Sequence, residues 1–458
     1  MEKNPLPPYL FRILAWFCPG HLFEEIEGDL IQKFQRDRVA FGETNAKLRL
    51  AWNTLRFFRP GVILRNERFN ASGILQLSNH SRNLTFRQAG NLTGWLVFTI
   101  ALVSYILTVE ETASLWDCSE FIAASTKLQV PHPPGAPLFL LTGRIFSLLA
   151  LDDPTKIAYV INLLSVLASA FTILFLFWSI VLFGRKLAGI AHDAIVTKEK
   201  ATMLLGAGAV GALAYTYSDS FWFSAVEAEV YAMSSFFTAF VVWCILKWDL
   251  IENKSRSNRW LILIAYMVGL SIGVHLLNLL TLPALALIYY FKTSKATARG
   301  VFLTLIISAG LTLFIYDLVI PGLPSLAGKF ELLFVNSIGL SFGSGAIVFS
   351  ILFMSALIYA IHFTQTRNRS AWNTLLLAGT FVIIGYGSYA TIVIRSGFDP
   401  PMNQNAPKDV MSFVRYLNRE QYGTAPLLYG PYFTSNPVGL QYGDPVYVKA
   451  KNKYEQSG

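Results

Sequence analysis

Nine apolar stretches follow one another along most of the chain, and a sequence that carries them has few ways to fold. They lie near 94–109, 157–182, 201–217, 230–247, 260–275, 277–291, 301–320, 346–363 and 373–393. About 20 apolar residues cross a bilayer as a helix, and in lipid each backbone N–H and C=O must find its partner within the segment, so such spans are helical. Composition points the same way: 53% of the 458 residues are hydrophobic, 14% are charged and the mean hydropathy is +0.46, more apolar than a soluble domain carries. The expected fold is an all-α polytopic membrane protein of about nine transmembrane helices. The pair at 260–291 reads two ways, as two short spans or as a re-entrant hairpin, because Gly269, Gly273, His275 and Asn278 interrupt it and Pro283 follows.

Charge orients these spans. Lys and Arg total 37 against 28 Asp and Glu, an excess that in a soluble chain would point to nucleic acid. Here it gathers in the first part of the chain and in loops holding Arg185, Lys186, Lys198, Lys200, Lys247, Lys254, Arg256, Arg259, Lys292, Lys295, Arg299, Arg367 and Arg369. If 260–291 crosses twice, all of these fall on one side, the positive-inside pattern. The expectation is a multi-pass protein of the cytoplasmic (inner) membrane, N-terminus cytoplasmic and C-terminus periplasmic, with no nucleic-acid partner. Loops 110–156, 218–229 and 321–345 and everything after Ile394 then lie outside. Cys18, Cys118 and Cys244 have neither disulfide-framework nor metal-ligand spacing and read as packing residues.

Four regions are expected: a cytoplasmic helical module over 1–69, a linker over 70–92, a transmembrane domain over 93–394, and over 395–458 the start of an extracytoplasmic α/β region, read as truncated. In the module, Phe23, Ile26, Leu30 and Phe34 form one face of a helix that Gly42 ends, and Leu48, Trp52 and Leu55 form the face of the next. The linker carries Asn-X-Ser/Thr sequons beginning at Asn70, Asn79, Asn83 and Asn91, expected on the cytoplasmic side. In the tail, DVMSFVRYLNREQY reads as an amphipathic helix and PLLYGPYF as a β-like run.

Ionisable residues at a membrane edge are costly unless they pair or face water, which makes them functional candidates. The stretch TASLWDCSEFIAASTKLQVPHPPGAP places Asp117, Glu120, Lys127 and His132 just after the first span. Asp117 and Glu120 have two readings, a D-x-x-E capping box and a pair of catalytic carboxylates. PHPPGAP reads as a stiff turn relieved at Gly135, and LFLLTGRIFSLLALDD as a surface helix with Arg144 on its wet side. Glu227 and Glu229 precede the fourth span beside an aromatic belt, His275 and Asn278 lie a helical turn apart, and Arg395 emerges at the outer end of the last span. No His, Cys, Asp or Glu cluster has a metal's spacing, and no metal or other cofactor is expected.

Two resemblances add to this. PPYLFRILAWFCP, FEEIEGDLIQKFQRD and NTLRFFRPGVILRN, in the first 70 residues, resemble the prefix domain ahead of bacterial ABC-transporter permeases of the macrolide-exporter and lipoprotein-release type. WDCSEFIAASTKLQVPHPPGAPLF, SFWFSAVEAEVYAMSSFFTA, GLSIGVHLLNLLTLPAL, YATIVIRSGFDPPMNQNAP and YLNREQYG resemble bacterial membrane proteins related to the eukaryotic transmembrane protein O-mannosyltransferases, within the GT-C glycosyltransferases. The second resemblance implies transfer of mannose or a related hexose from a polyprenyl-phosphate donor to a hydroxyl of an acceptor protein outside the membrane. Asp117 would then be the base supported by Glu120, with Lys127, His132, Arg144, Glu227, Glu229, His275 and Arg395 as donor-binding or supporting residues. The alternatives are a transport-associated permease-like protein and an inactive fusion of prefix module and enzyme fragment. A permease of the prefix-bearing class would need a large outer domain between its first two spans and a partner ATPase, and no Walker motif occurs here.

Overall fold

The computed structural model describes residues 14, 18, 20–56, 85–191, 194–252, 254–423, 429–430, 432–436, 439 and 445–457. Two compact units form, Met1–Leu84 and Thr85–Gly458.

The first unit contains α1 (Gly20–Phe41) and α2 (Glu43–Arg56). Gly42 breaks between them at φ +78°, and its N–H bonds Arg38 O at 3.1 Å, a left-handed cap that costs glycine no Cβ clash. Leu30 and Phe34 of α1 are buried with Phe23 and Ile26 packed against them, as the periodicity predicts. The face of α2 differs from the expected one. Leu48 and Trp52 are each 67% exposed, while Ala46, Leu50 and Thr54 are buried. Small and medium side chains four apart let the two backbones approach, and a tryptophan on that stripe would not. Leu55's side chain, the sequons at Asn70, Asn79 and Asn83, and four of the eight residues of PLLYGPYF lie outside the described residues, and the other four of that run form no strand.

The second unit is an all-α polytopic membrane fold. It runs α3 (Phe86–Thr108), α4 (Cys118–Lys127), α5 (Pro137–Ser147), α6 (Ile157–Leu187), α7 (Lys198–Thr216), α8 (Asp219–Ala225), α9 (Val230–Asp249), α10 (Lys254–Ile272), α11 (Leu282–Thr293), α12 (Ala298–Leu313), α13 (Leu323–Leu332), α14 (Ser344–Thr366), α15 (Ser370–Tyr386), α16 (Ala390–Ser396) and α17 (Val410–Leu417). It ends in a hairpin of β1 (Tyr447–Lys449) and β2 (Tyr454–Gln456), with Tyr447 paired to Gln456 and Lys449 to Tyr454. Among the described residues, 7 helices are long and apolar enough to cross a membrane. They account for seven of the nine expected spans. The other two are helical but fall short: α7 dilutes its apolar run with a charged first turn, three glycines and five alanines, and α10 opens on KSRSNR.

Three boundaries depart from expectation. A Thr85–Gln88 capping box starts α3 at Phe86, so Asn91 and the end of the expected linker are helical. The break at Gly273 to His275 separates α10 from a 3-10 turn, Leu276–Thr281, that runs into α11. The expected loop 321–345 is helical through Ser337, because a π-helical stretch over Phe314–Gly322 takes up Pro321 and carries the helix onward. A widened turn tolerates the missing N–H of proline where an α-turn does not. Glycines set the closest packing: a Cβ on Gly269 would meet Val382 O at 2.3 Å, and one on Gly385 would meet Leu270 N at 2.4 Å, so α10 and α15 touch backbone to backbone.

Two ties place the first loop. Asn162, fully buried in α6, donates to Glu110 O and Thr112 O at 2.8 and 3.0 Å. Glu110 N–H in turn bonds Val226 O at 3.0 Å, which brings the loop beside the segment carrying Glu227 and Glu229.

Candidate functional site

The site is built on the first turn of α4 and the turn that returns to it. Trp116 enters at φ +64° and Asp117 occupies the N-cap position in αR geometry with no side-chain cap bond. The capping-box reading therefore fails. Capping needs an extended N-cap residue whose side chain turns back over the helix N–H groups, and Asp117 turns outward, its side chain 58% exposed. Glu120 does not reach back either. Its Oε1 accepts from His132 N–H at 2.8 Å and from Gln404 Nε2 at 2.7 Å, and its Oε2 accepts from His132 Nδ1 at 2.6 Å.

His132 is held to this partner by the turn around it. Gly135 takes φ +72°, and a Cβ there would meet the Tyr416 hydroxyl at 2.6 Å. That hydroxyl donates to Pro131 O at 2.6 Å, fastening α17 onto the turn. The ring's other nitrogen, Nε2, lies 3.8 Å from Asp117 Oδ2. The three side chains thus form a chain, carboxylate to imidazole to carboxylate. The Glu120 hydrogen bond raises His132 above its ordinary value against the pull of burial. Burial works to raise Glu120, and the His132 side-chain and backbone bonds overcome it and hold the carboxyl low. Both effects favour a charged pair.

Behind Asp117 lie two buried carboxyls, Glu227 at 4% and Glu229 at 7% exposure. Burial pushes Glu229 up to about 7, with Asp117 and Glu227 adding to the shift, and burial raises Glu227 as well. Asp117, Glu120 and His132 also offer one ligand atom each within 4.8 Å of one another, a gathering that the linear spacing does not reveal. Glu120's oxygens are taken up by three N–H donors, so the arrangement suits proton sharing more than cation binding.

The predicted cations go elsewhere. Arg144 Nη1 donates to Thr126 O at 2.6 Å, and Arg395 donates to Leu128 O at 2.7 Å and Lys127 O at 3.1 Å. Both close the carbonyl end of α4, where a positive charge also complements the helix dipole, so Arg144 is not on a wet outer face. Lys127 is exposed at that same end, seven residues and so about 10 Å along the axis from Glu120. His275 and Asn278 do not pair: His275 caps the 3-10 turn, its Nδ1 accepting from Leu277 N–H at 3.2 Å and its ring 5.3 Å from that of Tyr231. Asn278 instead bridges Ser271 and Thr238 at 2.7 and 3.1 Å.

Sequence reasoning missed Gln404 and Arg419. Arg419 follows α17 in left-handed geometry, φ +56°, and its charge reaches both His132 and His275 and opposes protonation of each. Both residues sit inside strings that carried the resemblance, MNQNAP and YLNREQYG, which was the signal available. Their distance in sequence from Glu120 hid it.

Residues 117–298 match a family described as the Protein O-mannosyl-transferase TMEM260 N-terminal domain. The match opens on Asp117, takes in Glu120, His132, Glu227, Glu229 and His275, and ends before Arg395, Gln404 and Arg419. Over 202 residues the chain is 25% identical to a Dictyostelium discoideum protein named Protein O-mannosyl-transferase tmem260, covering 43% of this chain and 22% of that protein. Over 234 residues it is 25% identical to Mus musculus Protein O-mannosyl-transferase TMEM260, covering 50% of this chain and 30% of the relative. The similarity thus spans less than a third of either relative's length. No solved structure matches.

Proposed function

We propose that this chain is a GT-C-type membrane glycosyltransferase of the protein O-mannosyltransferase kind. It moves mannose or a related hexose from a polyprenyl-phosphate donor to a protein hydroxyl on the outer face of the cytoplasmic membrane. The observation that carries this reading is the linked group Asp117, His132 and Glu120 at the edge of the first span, with the family similarity opening on Asp117. Such a transfer breaks the bond between the sugar's anomeric carbon and the donor phosphate and forms one to the acceptor oxygen, whose proton needs a base. Asp117 is that base. It is the exposed carboxylate of the group, open to an acceptor arriving from water, and its side chain is free of the helix cap. Glu120 and Gln404 hold His132 in place, and the charged imidazole steadies Asp117 in the orientation that receives the proton. The donor's prenyl chain would lie along the apolar helices that flank this edge.

Membranes containing the 458-residue chain, given a labelled polyprenyl-phosphate sugar, are expected to transfer label to protein. Asp117→Asn is expected to lower transfer by about 10²–10⁴-fold with unchanged thermal melting. A folded Asp117→Asn protein of undiminished activity would overturn the assignment.

A further inference from the structure

The cations expected at a donor phosphate are spent on the far end of α4. Arg144 and Arg395 bind carbonyls of residues 126 to 128, and Lys127 is at that end too. At the other end, the Tyr416 hydroxyl ties α17 to the turn that holds His132, and Arg419 follows α17 by two residues. Arg419 is exposed and makes no ion pair among the described residues. Its backbone is held in the left-handed region by Tyr416 O, which accepts its N–H at 3.2 Å, and by Tyr422 N–H, which donates to its own carbonyl at 2.9 Å. A non-glycine residue in that region is strained and persists where the surroundings demand it. The demand comes from the neighbouring ties: three residues earlier, the Tyr416 hydroxyl grips Pro131 O at 2.6 Å and His132 O at 3.4 Å. The guanidinium carbon lies 4.9 Å from the centroid of the Tyr422 ring.

We propose that Arg419 is the residue that binds the phosphate of the lipid-linked donor, so that the segment after the last span completes a site begun by the first loop. This rests on the transferase reading above. A guanidinium forks onto phosphate oxygens with two parallel hydrogen bonds and carries its charge at every physiological pH. A phosphate bound at Arg419 would offset the charge that acts on His132 and His275. An anion there relieves the repulsion between Arg419 and a protonated His132, so donor binding and the charged state of the Asp117, His132, Glu120 chain reinforce one another.

The test uses the full chain purified in detergent, with farnesyl phosphate and farnesol as probes and tryptophan fluorescence as the readout. Wild type is expected to bind farnesyl phosphate at least tenfold more tightly than farnesol. Arg419→Gln is expected to lose that preference and keep its affinity for farnesol, and Arg419→Lys to keep part of the preference. In wild type, farnesyl phosphate and not farnesol is expected to shield Arg419 from phenylglyoxal, mapped by mass spectrometry, which needs no folded variant. A folded Gln variant that keeps the full preference, or an Arg419 left unshielded, overturns the assignment and leaves the transferase reading standing. Wild type with no preference for the phosphate overturns the lipid-phosphate reading itself.

Discussion

The two ends of α4 were built from similar materials and are used differently. At its carbonyl end, Arg144 and Arg395 donate to the backbone oxygens of Thr126, Lys127 and Leu128, and the charges are absorbed by closing a helix. At its amino end, Asp117 turns away from the helix N–H groups that it was placed to cap, and Glu120 bonds a histidine and a glutamine from other parts of the chain. A charge that closes a helix end is structural, because moving it exposes terminal carbonyls or N–H groups that have no other partner. A charge held by other side chains can change its protonation and its partner without unravelling a helix, and that is what a reacting group requires.

After loss of Asp117, the largest effect expected is from Glu120→Gln, which removes the anionic partner of His132. Transfer should fall roughly 100-fold, and the apparent pKa that governs the rate at its low-pH side should move. A Gln variant with the wild-type pH profile and rate would show that this end is as structural as the other.

Next is Glu229→Gln. A carboxyl raised from its ordinary value of 4.5 to about 7 stabilises the fold below 4.5 and loses that contribution as pH climbs through about 7. The Gln variant should therefore melt higher than wild type at pH 8, by up to about 3 kcal/mol in stability, with the gap closing by pH 5. Parallel melting curves at both pH values would place Glu229 in an environment wetter than its burial implies.

Smallest is Arg395→Met, expected to cost about 1–2 kcal/mol of stability through the lost carbonyl partners while the donor KM stays within about twofold. If KM rises tenfold with melting unchanged, the contrast between the ends of α4 is wrong and Arg395 contacts the donor.

Legibility followed the length scale of the interactions. Helical spans came through because a run of apolar residues is a local property, and seven of the nine were long and apolar enough in three dimensions. The helix that continues through Pro321 to Ser337 was not readable, because proline is a local stop signal and the π-helical turn that defeats it depends on neighbouring packing. Trp52 is exposed for the same kind of reason: periodicity shows which residues share a face, and the partner helix decides which face is buried.

By itself, then, the sequence determined the membrane-embedded helical character of the chain and singled out Asp117, Glu120 and His132 as candidate side chains, since hydropathy and chemical type belong to single residues and short runs. Tertiary structure decided what those side chains do. It set the choice between a helix cap and a hydrogen-bonded proton chain, sent Arg144 and Arg395 to the far end of α4, and brought Gln404 and Arg419 to the near end. Glu120 and Gln404 are 284 residues apart in the chain and 2.7 Å apart in space. A contact of that separation leaves no periodicity or spacing in the sequence, because the loop between its ends is the fold itself.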